Sequence, residues 1–128
     1  LLARTMGATI AQARAVPALS AYADQLAQAL QDVSAATQAA WSTGNPNEAL
    51  ANAVPYMQAF GHMVLAWMWL DVARKVLAQD ATLSIASNAG RMGAARCFYH
   101  YELPKIGAWL RVVGTRDPTC MAMAEEAF

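Results

Sequence analysis

Core-compatible residues at Leu19, Ala23, Leu26, Leu30, Val33, Thr37 and Ala40 recur with spacings that alternate between four and three. That alternation is the stripe of a helix lying lengthwise against other helices, and a strand, with its side-chain period of two, cannot produce it. The rest of the chain agrees. Thirty of its 128 residues are Ala, only seven are Gly, and runs of β-branched residues are absent, so helix propensity is high throughout. The length suits one domain, residues 1–128, and is enough to bury a sizeable core.

Pro17 suits the first turn of the helix that carries this stripe, and Thr43, Gly44, Asn45 and Pro46 stop it. A second helix is expected over 47–79, with Leu50, Ala53, Val54, Met57, Phe60, Gly61, Val64 and Met68 on its core side and a kink or division at Pro55. A short turn at 80–82 makes a third helix double back. Its large stripe is Ile85, Met92, Tyr99, Leu103, Ile106, Leu110 and Val113; its small stripe, Ala86, Ala89, Gly90, Gly93 and Cys97, would admit a neighbouring backbone. Pro104 should bend this helix and residues 114–118 end it, leaving 119–128 for a short terminal element. The expected fold class is all-α: an antiparallel helical bundle of three long helices plus a short C-terminal element. The chain lacks an initiator Met and opens within a helical pattern, so it reads as a fragment of something longer.

Residues 63–70 read MVLAWMWL, an apolar run far short of the roughly 20 residues a membrane-spanning helix needs. A helix turns about 100° per residue, so Trp67 and Trp69 point roughly 200° apart and no single orientation centres both on a core. With the core side taken at Met57, Gly61, Val64 and Met68, Trp67 falls at its edge. Trp69 then points outward with Leu65, Val76 and the polar Gln58 and His62. Trp69, His62, Leu65 and Val76 are therefore the candidates for a contact surface, unless residues 121–128 fold back over it.

Nine basic residues balance nine acidic ones, which leaves no excess to bind a phosphate backbone and disfavours nucleic acid. Cys97 and Cys120 are too few for a disulfide scaffold and no leader pattern opens the chain, so a reducing cytoplasm fits best. Cys97 and His100, three apart, with His62 and Cys120 elsewhere, make a weak metal signal without a second paired motif, and Cys97 reads as a small packing residue. Neither histidine has the Glu three positions earlier that a di-iron bundle needs. The nucleophile elbow, the dinucleotide fingerprint and the phosphate loop are all missing. Catalytic, cofactor-binding and metal-binding residues are thus all expected to be none. Asp71 with Arg74 and Lys75, and Glu102 with Lys105 and Arg96, read as ordinary helix-surface pairs.

Two segments carry a resemblance. Residues 45–69, NPNEALANAVPYMQAFGHMVLAWMW, and residues 96–110, RCFYHYELPKIGAWL, resemble the C-terminal extension of one branch of the flavin-dependent acyl-CoA dehydrogenases in content, order and separation. Residues 117–128 are similar to the natural end of such enzymes. The resemblance implies a parent flavoprotein of fatty acid metabolism that binds FAD and an acyl-CoA, in which a catalytic Glu removes the α-proton while hydride passes from the β-carbon to the flavin. None of the segments that do this is in the chain. No residue here matches the flavin motifs or the catalytic carboxylate, so FAD is implied for the parent alone. The implied role is a helical structural and interaction domain that packs on the catalytic domains of the same or a neighbouring subunit of a homo-oligomer and shapes access to the acyl-CoA site from outside. The alternative is a free-standing bundle that binds a small apolar ligand or a membrane surface. A membrane-surface helix should carry a Lys- and Arg-rich polar face, and the second helix has only Arg74 and Lys75.

Overall fold

The computed structural model describes residues 1–78 and 85–127, and every regular element among them is helical. The chain runs α1 (Leu2–Arg14), α2 (Ser20–Ala40), α3 (Pro46–Leu50), α4 (Ala53–Leu77), α5 (Ile85–Cys97), α6 (Ile106–Gly114) and α7 (Thr119–Ala122). The all-α expectation holds, but four of these helices are long rather than three. The additional one is α1, whose Met6, Thr9, Ile10 and Ala13 form a buried stripe of their own. The expected turn at 80–82 and the end of the second helix at 79 lie outside the described residues.

Proline decides most of the boundaries. Pro17 opens a 3-10 turn, Pro17–Leu19, that feeds α2, and Pro46 sits at the first position of α3 behind an Asn45 cap whose side chain accepts from the Asn47 amide. Pro55 does not kink a continuous helix. The break comes earlier, at residues 51–52, so that Pro55 falls in the first turn of α4, where its missing N–H leaves no hydrogen bond unmade. Near Pro104 the helix passes through a π-helical turn, Phe98–Glu102, and a 3-10 turn, Leu103–Lys105, before α6 begins. A proline cannot donate to the preceding turn, and the wider and tighter turns around it absorb that loss. Tyr99 meets Ala66, Glu102 meets His62, and Asp117 meets Asn52. As one number rises the other falls, so the α5–α6 arm runs antiparallel to α4.

The core is built on alanine. On α2 the buried residues are Ala23, Leu26, Ala29, Val33, Ala36 and Ala40, with Leu30 and Thr37 only half-buried at the edge. On α4 they are Ala59, Met63, Ala66, Leu70 and Ala73. This corrects the expected core side of the second helix: Val54 and Met57 are 71% and 60% exposed, Met68 is 55% exposed, and Leu50 is exposed as well. The two stripes are offset by two residues, or about 200°, so α4 is turned over relative to the reading from its large residues. Small side chains on the inner faces let helices approach toward the short end of the roughly 8–10 Å range, and close packing replaces large apolar surface.

On the third arm Tyr99, Leu103, Ile106, Leu110 and Val113 are buried as expected, and Met92 packs at the edge of the core. Ile85 is not; it is 90% exposed. The small stripe is also corrected. Ala86, Ala89, Gly90, Gly93 and Cys97 face outward, and a Cβ built on either glycine would meet nothing within 4 Å. The end of α6 is closed by Arg116 at φ 53°, with the Arg116 amide bonded to the Val113 carbonyl and the Asp117 amide to the Val112 carbonyl. A left-handed arginine costs about 1 kcal/mol. Arg116→Gly is therefore expected to raise stability by about that amount in thermal unfolding, and an unchanged or lower midpoint would show the Arg116–Glu48 contact at 3.8 Å to be worth as much as the strain.

Candidate functional site

Between Ala53 and Leu70, α4 carries no Asp, Glu, Lys or Arg. Its inner stripe is consumed by the core. Opposite it stand Val54, Met57, Gly61, Leu65 and Met68, with Leu65 itself 44% exposed. Between inner and outer stripes lie two flanks, and the tryptophans occupy one each. Trp67 takes the flank toward α1, where its indole Nε1 donates to Thr9 Oγ1 at 2.9 Å. Trp69 takes the other flank with His62, Leu65 and Val76. Both rings are half-buried against the core, so Trp69 does not point away from it.

His62 is enclosed by the chain itself. Its ring stands edge-on to Trp109 at 4.8 Å and beside Phe98 at 5.8 Å. Nδ1 lies 3.1 Å from the Gln58 carbonyl and Nε2 3.3 Å from Glu102 Oε2. Lys105 Nζ donates to both Glu102 oxygens at 2.8 Å, and it and then His62 hold the Glu102 carboxyl below the usual carboxylate range. Of the four sequence candidates, His62 thus lies against the π-helical turn and α6, Trp69 and Val76 are half-buried, and Leu65 alone is exposed. Residues 121–127 do not cover Trp69. Met121 lies with Glu48 and Ala51 at the opposite end of α4, and Met121 and Met123 are exposed.

Elsewhere the chemistry is structural. Burial pushes Asp71 up, but hydrogen bonds and charge from Lys75 and Arg74 outweigh it and hold the carboxyl low. These are the surface pairs expected from sequence, at 2.7 and 2.8 Å. Cys97 and Cys120 are free and exposed, and among the described residues no three His, Cys, Asp or Glu side chains are grouped to hold a metal. A groove of about 460 Å³ runs between α2 and the π-helical turn and is lined by Gln25, Gln28, Asp32, Tyr99, His100 and Pro104 among others. No Lys or Arg lines it, and Asp32 would face any pyrophosphate laid there, so its donor set does not fit FAD. Among the described residues no helix is long and apolar enough to cross a membrane.

Sequence reasoning misses the outer stripe because it assigns large residues inward. The signal is present all the same: Ala59, Ala66 and Ala73 repeat every seven residues with Met63 and Leu70 between them. No curated protein and no solved structure matches the chain. Residues 2–124 match the family model described as acetyl-CoA dehydrogenase C-terminal like. With nearly its whole length matched, the chain belongs to that family, as a C-terminal domain of the acyl-CoA dehydrogenases.

Proposed function

We propose that the domain is the helical structural and interaction module of an FAD-dependent, cytoplasmic acyl-CoA dehydrogenase, the parent carrying out α,β-dehydrogenation of acyl-CoA thioesters. The observation that carries this reading is the outer stripe of α4. A helix that exposes Val54, Met57, Leu65 and Met68 without a charge among them presents a surface that water disfavours, and such surfaces serve as contacts. In the assembled enzyme this stripe docks on the catalytic domains or on a neighbouring subunit. The domain supplies no group to the reaction. Proton abstraction needs a positioned base and hydride transfer needs a flavin, and both belong to the rest of the parent.

Two measurements test this. The purified chain should carry no flavin and should not oxidise any acyl-CoA; stoichiometric yellow flavin would refute that part. In the parent enzyme, Val54→Glu with Met68→Glu should loosen assembly in sedimentation while the catalytic domains keep their flavin spectrum. An assembly indifferent to both charges would remove the interaction role.

A further inference from the structure

Both ring nitrogens of His62 face oxygen atoms, Nδ1 the Gln58 carbonyl at 3.1 Å and Nε2 the Glu102 carboxylate at 3.3 Å. A backbone carbonyl only accepts hydrogen bonds, and so does an ionised carboxylate, the state that Lys105 and then His62 favour at Glu102. A neutral imidazole carries one N–H and one lone pair, so it satisfies one of these oxygens and turns its lone pair on the other. The imidazolium has an N–H on each nitrogen and satisfies both.

The surroundings leave the ring few charges to answer to. The His62 side chain is 23% exposed, so water reaches the ring to deliver or remove a proton while Phe98 and Trp109 shield the rest of it. Between Ala53 and Leu70, α4 itself has no Asp, Glu, Lys or Arg. From the third arm the π-helical turn presents Glu102, the 3-10 turn presents Lys105, and α6 presents the uncharged Trp109. Tyr99 and His100 lie against Tyr22 of α2 instead, Tyr101 is exposed, and Arg111 points about 200° away from Trp109 on its helix. Lys105 is thus the competitor, since it donates to both Glu102 oxygens, including the one that faces Nε2.

We infer that His62 is held as the imidazolium and works as a proton-operated clasp between α4 and the third arm. With both protons in place, one ring ties the π-helical turn to a helix forty residues earlier in the chain. Without the second proton a lone pair faces an acceptor, and the turn that leads into Pro104 and α6 loses that tie. A ring that gains two acceptors on folding binds its proton more tightly folded than unfolded. The clasp is therefore fully closed below the ordinary imidazole value of about 6.5 and opens as pH rises past it.

The test is a set of two-bond ¹H–¹⁵N spectra of the labelled full chain from about pH 5 to 9, which read each ring nitrogen separately. His100, exposed on the same turn, is the internal reference. Its second proton should leave first, and that of His62 should follow only after a further fall of about tenfold in proton concentration. Glu102→Gln should close that interval, whereas Lys105→Met, which leaves the carboxylate to the ring alone, should widen it. These side chains are 39% and 51% exposed, so both variants should fold, as circular dichroism would check. The clasp is read by hydrogen exchange of the α6 amides, corrected for base catalysis. Their protection should drop about three- to tenfold through the same titration, the worth of one ordinary hydrogen bond, and show no step in His62→Gln. A His62 ring that gives up its second proton no later than His100 overturns the inference in the unsubstituted chain alone. A ring that titrates late while α6 protection stays flat overturns the clasp.

Discussion

Tyr99→Ala is expected to destabilise the chain by about 3 to 5 kcal/mol, the range for truncating a large aromatic in a closed core. Tyr99 is the largest fully buried side chain among the described residues, and it sits in the π-helical turn that leads into Pro104. Its ring packs on Tyr22 at 4.7 Å and its hydroxyl donates to the Ala66 carbonyl at 2.9 Å. One side chain therefore ties the third arm to α2 and α4 together. Tyr99→Phe keeps the packing and loses only the hydrogen bond, about 1 kcal/mol. Burial, with a smaller contribution from Tyr22, pushes the Tyr99 phenol well above its ordinary value of 10.0. With the folded value raised, its contribution is fully present below the unfolded value and is lost as pH climbs above it. Stability should accordingly fall on the alkaline side of about pH 10, and Tyr99→Phe should flatten that fall. Equal alkaline slopes in the two proteins would show that the phenol stays accessible to base.

The second large effect concerns the two tryptophans. Trp67→Ala should cost about 2 to 4 kcal/mol, slightly under the full core value because the ring is half-buried. Trp67→Phe should cost about 1 kcal/mol through loss of the bond to Thr9. Trp69→Ala should also reduce stability, by about 2 to 3 kcal/mol, because its ring packs on the core cluster from the opposite flank. Thermal unfolding and sedimentation on the same samples separate the possibilities. A Trp69→Ala protein that unfolds normally but fails to associate would place that ring in the contact surface instead of the fold.

The class of fold was legible because helix periodicity survives any rotation of the helix about its axis. The orientation of α4 was not. Both its sides are apolar, and Val54, Met57, Leu65 and Met68 outweigh Ala59, Ala66 and Ala73 on any count of hydrophobic bulk. Packing is decided by closeness as well as by size, and the alanines of α4 are buried in the same core as Ala23, Ala29 and Ala36 of α2. The same logic displaced the glycine stripe of α5, where small residues lie outward and admit no neighbour. The contact candidates depend on taking the core side of α4 at Met57 and Met68. The structure leaves His62 enclosed by Phe98, Glu102 and Trp109, residues over thirty positions away that periodicity cannot bring into view.

The alanine seam also sets how this sequence can drift. Ala59, Ala66 and Ala73 are fully buried, so each added methyl group must push the packed helices apart. Val54, Met57, Leu65 and Met68 meet no such limit inside the chain. In a lineage that keeps the partner, both sets should stay fixed. In one that loses it, the outer set should turn polar within few generations of mutation while the seam stays alanine, so the substitution record of α4 would date the loss of the contact.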